Sequence, residues 1–114
     1  MSIYFLINEN VNLDLSSRIS SWILEETRRL FDVNDESCMN EIYEFYDIGM
    51  GGVTFEDVNR ECYNHFYRKC KMAMEHFLIS DRAKNLERNL IPVILAGWGE
   101  LLEALERDPR YQSD

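Results

Sequence analysis

Apolar residues recur at intervals of three and four along most of the chain, and this spacing restricts the fold more than any other feature. The pattern begins after Ser16 and is typical of helices that bury one face. Ahead of it, "SIYFLI" and "VNLDL" fit strands, and "NEN" between them can form a turn. The sequence therefore predicts a mainly α fold, a single domain of about four to five helices with a short N-terminal β-strand or hairpin.

The length of 114 residues predicts one domain that covers 1–114. We expect a β element at 1–15, a helical body at 16–107 and a loose tail at 108–114, because "RDP" interrupts the last helical pattern. The start of the chain lacks the basic and long apolar regions of a signal peptide, and the apolar runs are too short to cross a bilayer. We therefore expect a cytoplasmic protein with no membrane segment.

The three cysteines, Cys38, Cys62 and Cys70, are an odd number, which disfavours a secreted disulfide scaffold. Two of them lie in "CYNHFYRKCKMAMEH", a stretch with the apolar spacing of a helix. On that helix Cys62 and Cys70 would be roughly 12 Å apart, too far for a disulfide. Both fall on or beside the apolar face, so we expect reduced, buried thiols that pack as small hydrophobic residues.

The same stretch contains both histidines, but their spacing does not suit a metal site. His65 and His76 would lie roughly 16 Å apart on a helix, so they cannot bind one ion. Cys62 and His65 are one turn apart, but the sequence marks no further ligands. "GMGG" lacks the Lys-Ser/Thr ending of a phosphate-binding loop. We therefore expect no metal, no cofactor and no catalytic residues, and hence a protein that is not an enzyme.

The negative charge is concentrated in one part of the chain. Residues 30–59 contain eight carboxylates and no lysine or arginine, whereas residues 60–90 contain seven basic and four acidic residues. The net charge of −9 would repel nucleic acid and anionic lipid, so a basic protein is the expected partner. The acidic segment is either a solvated helix face or a docking surface, and a docking surface explains why carboxylates accumulate without a local cation.

We expect the partner to contact this acidic segment through carboxylates and one tyrosine. The predicted binding residues are Asp35, Glu36, Glu41, Tyr43, Glu44, Asp47, Glu56 and Asp57. If Met39, Ile42 and Phe45 mark the buried side of the second helix, Tyr46 lies partly in the core. Tyr43 then points to solvent, as a rigid aromatic anchor among charges that steer a basic partner.

The segment "DESCMNEIYEFYD", together with the size, acidity and cysteine content of the chain, resembles small bacterial toxin-immunity proteins. These proteins are paired with colicins or with contact-dependent growth inhibition toxins. The chain differs from the helical colicin DNase immunity proteins, which are shorter, use adjacent tyrosines and lack an N-terminal strand. The resemblance implies a non-catalytic protein that binds and neutralises a basic toxin, specifically a nuclease domain, through an acidic surface that bears a tyrosine.

Three other functions are compatible with the same composition. A phage or plasmid inhibitor that mimics nucleic acid would spread its carboxylates at phosphate-like spacing, and the basic residues within 60–90 count against it. A helical adaptor subunit would carry the acidic face without using it. No motif identifies a reaction, so a small helical enzyme is the least supported of the three.

Overall fold

The computed structural model describes residues 1–113 and places a small β-sheet against a layer of helices. The strands are β1 (Ser2–Asn8), β2 (Val11–Ser16) and β3 (Gly52–Thr54). The helices are α1 (Ser17–Arg28), α2 (Glu36–Asp47), α3 (Arg60–Leu78), α4 (Asp81–Lys84) and α5 (Leu90–Glu106), and a 3-10 turn at Val33–Asp35 leads into α2. The N-terminal hairpin and the helical content agree with the sequence prediction.

β1 and β2 form an antiparallel hairpin whose two faces differ in polarity. Ile3, Phe5 and Ile7 are buried against the helices, and the residues between them face outward. The Oδ1 of Asn8 accepts the main-chain N–H of Asn10 at 2.7 Å and so closes the turn. The inner face of the sheet therefore belongs to the core, while the outer face meets solvent.

The prediction of a mainly α fold is wrong, because a third strand joins the hairpin and makes the protein a mixed α/β fold with strand order β2-β1-β3. β3 pairs in parallel with β1, with Val53 opposite Phe5. α3 begins after Asn59, whose Oδ1 accepts the N–H of Cys62 at 2.8 Å. A strand of three residues is too short to show alternation, so the local pattern does not reveal its pairing.

The core lies between the inner face of the sheet and helices α1, α3 and α5. Trp98 of α5 is fully buried and packs against Phe77, with ring centroids 5.5 Å apart. Its indole N–H donates to the main-chain carbonyl of Cys70 at 3.0 Å. Gly97 allows α1 to approach α5 closely, because a Cβ there would lie 2.6 Å from the side chain of Ile19. α2 buries only one narrow stripe, so its outer side stays accessible.

The predicted surface position of Tyr43 on α2 is wrong. Tyr43 is 1% exposed, and its hydroxyl donates to the main-chain carbonyl of Leu24 at 2.8 Å. The guanidinium of Arg28 lies 4.3 Å from the centre of the Tyr43 ring. Phe45, which was expected to be buried, is 44% exposed, while Tyr46 is half-buried as expected. α2 is therefore rotated relative to the helix that the sequence predicted.

The rotation of α2 has a physical cause in α1. The buried stripe of α2 consists of Met39, Ile42, Tyr43 and Tyr46. A buried tyrosine needs a partner for its hydroxyl. α1 provides both that acceptor and a cation over the ring, and the sequence of α2 contains no sign of either.

The predicted loose tail is also wrong where the structure describes it. The guanidinium of Arg110 donates to main-chain carbonyls in two other parts of the chain, those of Ile7, Phe55 and Val58. Asp108 is 5% exposed and accepts from the Nε of Arg110 and from the Nδ2 of Asn8, each at 2.8 Å. These contacts make 108–110 part of the folded body. The last residue of the predicted tail, Asp114, lies outside the described residues.

We predict that replacing Tyr43 destabilises the fold. Tyr43→Ala should lower the free energy of unfolding by about 3–5 kcal/mol, because it leaves a cavity of aromatic size. Tyr43→Phe should cost about 1 kcal/mol, because only the hydrogen bond to Leu24 is lost. Phe45→Ala, on the exposed side of the same helix, is the control and should cost much less than Tyr43→Ala. Urea unfolding measures all three, and a Tyr43→Ala variant as stable as the parent would show that the ring is not in the core.

We also predict acid-sensitive stability from Asp108. Hydrogen bonding from Arg110 lowers the pKa of the Asp108 carboxyl to about 2. A carboxyl with a lowered pKa in the folded state stabilises the protein above its ordinary pKa, and this contribution disappears as the pH falls towards 2. Asp108→Asn should therefore cost about 2 kcal/mol at neutral pH and progressively less below about pH 4. Urea unfolding across this range tests the prediction, and a cost independent of pH would contradict it.

Candidate partner-binding surface

The exposed carboxylates of the acidic segment lie on the outer side of α2 and around β3. Five of the predicted residues are exposed and form no ion pair among the described residues: Glu36, Glu41, Glu44, Glu56 and Asp57. Along α2 they border a shallow groove of about 540 Å³, which is lined by Ser37, Asn40, Glu41, Glu44, Asp47 and Ile48. This part of the predicted surface is therefore both acidic and accessible.

Two of the predicted carboxylates are paired with basic groups from other helices. The Oδ1 of Asp47 lies 2.7 Å from the Nη2 of Arg28, and the Oδ1 of Asp35 lies 2.6 Å from the Nε2 of His65. The His65 ring is not aligned for a hydrogen bond in this contact. A hydrogen bond from the main chain of Asp32 lowers the pKa of Asp35, and His65 lowers it further. These two carboxylates therefore contact basic groups of the same chain and present less free charge to a partner.

Sequence reasoning missed the apolar side chains that lie among the carboxylates. Phe45, Ile48 and Met50 are 44%, 66% and 68% exposed. The exposure of Phe45 follows from the orientation of α2, because a buried Tyr43 turns Phe45 outward. The spacing of the buried stripe was the only signal in the sequence that could have revealed them.

A second groove, of about 280 Å³, lies beside this apolar cluster. Its walls are formed by Tyr4 and Leu6 on the outer face of β1 and by Phe45 and Met50. The residues of β3 complete it, and Glu56 contributes a carboxylate. The acidic surface is thus continuous with an apolar depression that the charge pattern did not predict. We call this depression the β3 groove.

The cysteines do not all remain free. The structure joins Cys38 of α2 to Cys62 of α3 as a disulfide, with their Cα atoms 5.5 Å apart, so the expectation of reduced thiols is wrong for this pair. The sequence interpretation considered only the pairing of Cys62 with Cys70, and the packing of α2 on α3 supplies a different partner. Cys70 is buried as expected, and burial raises the pKa of its thiol to about 12. Its thiol is therefore protonated and unreactive at neutral pH.

The described residues contain no group of three or more histidine, cysteine or acidic side chains that is arranged to hold a metal ion. The two histidines have separate surroundings: His65 lies against Asp35, and His76 is exposed. Within the part of the chain that the structure describes, no helix is both long and apolar enough to cross a membrane.

The comparisons with known proteins find a similar fold in a solved structure. No protein-family model and no curated protein matches the sequence. One chain of a solved structure, described as "CdiA-CT toxin from Burkholderia pseudomallei E479 in complex with cognate CdiI immunity protein", has a similar fold. The TM-score is 0.78 at 18% identity, and the match covers 95% of this chain and 97% of that chain. The fold is therefore shared with a component of a toxin–immunity complex.

We predict that the carboxylates of α2 differ in their effect on stability. Glu41→Lys/Glu44→Lys should change the free energy of unfolding by less than about 0.5 kcal/mol, because both side chains are exposed and unpaired. Asp47→Lys should cost about 1 kcal/mol or more, because it removes the partner of Arg28 and adds a like charge beside it. Urea unfolding of the two variants tests this difference. Equal stability of Asp47→Lys and the parent would show that the ion pair with Arg28 does not help to anchor α2.

Proposed function

We propose that this chain is a non-catalytic immunity protein that binds and neutralises a basic toxin, specifically a nuclease domain. The observation that carries the proposal is the set of exposed, unpaired carboxylates on α2 and around β3. The shared fold with a component of a toxin–immunity complex supports it. Inhibition by binding requires only a complementary surface, and no catalytic group takes part.

The charge of the chain favours the role of inhibitor over that of toxin. The related solved structure contains a toxin together with its immunity protein, so both roles have to be weighed. A nuclease must approach a polyanionic substrate. A chain with net charge −9 would be repelled by that substrate, whereas a basic nuclease would attract it. The excess carboxylates would therefore accelerate association with the toxin and compete with its substrate.

The tyrosine that was expected to anchor the complex does not take part in this proposal, because Tyr43 is buried. Its place on the surface is taken by Phe45, Ile48 and Met50, which lie beside the free carboxylates. Interfaces commonly combine a central apolar cluster with a charged rim. The surface of α2 therefore still has the composition of a protein-binding site.

We predict that reversing charge on α2 weakens toxin binding. Glu41→Lys/Glu44→Lys should weaken the affinity for the cognate toxin domain about tenfold, mainly by slowing association. Stopped-flow and calorimetric titrations at low and high salt measure this effect. Glu100→Lys/Glu103→Lys is the matched control, because it makes the same change in charge at the same spacing on the exposed face of α5. It should reduce the affinity far less.

Growth assays distinguish the proposal from its main competitor. Cells that produce the cognate toxin domain should survive when this chain is co-produced, and this chain alone should leave growth unchanged. If the chain alone arrests growth, it is the toxic member of the pair and the proposal fails. If the α2 and α5 variants lose affinity equally, the loss results from the change in net charge. The toxin would then not bind specifically at α2.

A further inference from the structure

The β3 groove has a main-chain edge as well as apolar walls. β3 is an edge strand of the sheet, and among residues 1–113 it pairs only with β1. The bonds at the two ends of this pairing join Tyr4 N–H to the Gly51 carbonyl at 3.0 Å and Phe55 N–H to the Leu6 carbonyl at 2.8 Å. In a parallel ladder with this register, Val53 uses its N–H and C=O towards β1, and its two neighbours point theirs away.

The N–H and C=O groups of Gly52 and Thr54 therefore point to the free edge of the sheet. Neither residue uses these groups in a hydrogen bond with another described residue. Both residues line the β3 groove and are partly accessible. Unpaired edge groups are the pairing sites that strand-addition complexes use.

The side chains of the groove suit an apolar residue of a partner. Tyr4 is 39% exposed, and together with Phe45 and Met50 it forms exposed apolar walls. An extended segment presents alternate side chains to opposite sides, so one apolar residue can enter the groove while the next points away. Basic side chains of the segment that lie beside the groove would then meet its carboxylates.

The charge around the groove selects a basic partner. Among the described residues, no lysine or arginine lines the groove, whereas the acidic residue Glu56 does. Glu44 precedes Phe45 on the outer side of α2, and Asp57 follows Glu56. A second copy of this chain would bring the same carboxylates to the contact and be repelled, whereas lysine and arginine side chains would be attracted.

We propose that an extended segment of the basic toxin lies in the β3 groove, hydrogen-bonds to the free edge of β3 and inserts an apolar side chain between Tyr4 and Met50. This inference rests on the proposed function and identifies where on the surface the toxin binds. Apolar insertion supplies the slow dissociation, and the carboxylates supply the fast association.

Two measurements with the cognate toxin domain test the inference. Phe45→Ala/Met50→Ala should weaken affinity at least about tenfold, as expected for central apolar residues of an interface. The matched control is Ile79→Ala/Val93→Ala, which removes exposed apolar side chains that do not line the groove and should change affinity less than about twofold. In the unaltered chain, complex formation should slow hydrogen exchange of the Gly52 and Thr54 amides at least about tenfold.

Each outcome separates the inference from the proposed function. If the toxin binds and Glu41→Lys/Glu44→Lys weakens it, but the Gly52 and Thr54 amides exchange at the free rate, the inference is overturned and the proposed function stands. If the toxin does not bind, both are overturned. If the two amides are protected in the free protein in proportion to its concentration, a second copy occupies the groove and the inference is overturned. The hydrogen-exchange measurement uses the unaltered chain. It therefore tests the inference even if Phe45→Ala/Met50→Ala folds poorly.

Discussion

The guanidinium of Arg110 is the contact on which the sheet and its surroundings depend. It donates to carbonyls at the end of β1 and in the loop after β3, and its charge lies 4.3 Å from the centre of the Tyr63 ring on α3. Asp108 neutralises it from two residues away. One side chain near the C-terminus thus satisfies buried main-chain acceptors that come from distant segments. It holds the chain after β3 close to the end of β1, where the parallel pairing forms.

A second contact with similar chemistry decides which side of α2 faces solvent. Arg28 lies over the ring of Tyr43 and pairs with Asp47, so it connects α1 to α2 at two points. This arrangement buries an aromatic ring that the sequence had assigned to the surface. It also turns Phe45 towards the solvent, beside carboxylates that no other described group neutralises. The chemical character of the proposed binding surface is therefore a consequence of how α2 is attached.

The two arginines contact elements that form the β3 groove. Arg110 helps to hold β3 beside β1, and Arg28 helps to set the position of Phe45 on the opposite wall. The groove combines features that come from β1, α2 and β3, which are separated along the chain. An interface assembled in this way gives a partner apolar contact, main-chain hydrogen bonds and charge attraction at one place. A charge pattern alone would supply only attraction.

The sequence by itself determined the features that depend on near neighbours. The alternation in "VNLDL", the helical spacing in α1, α3 and α5, and the accumulation of carboxylates in 30–59 are all local, because side-chain periodicity reflects the geometry of one element. The tertiary structure alone decided four features: the parallel pairing of β3 with β1, the pairing of Cys38 with Cys62, the burial of Tyr43, and the hydrogen bonds that attach Arg110 to the folded body. Each of these joins groups that are at least a dozen residues apart, and the energy that stabilises them arises only when packing brings both partners together.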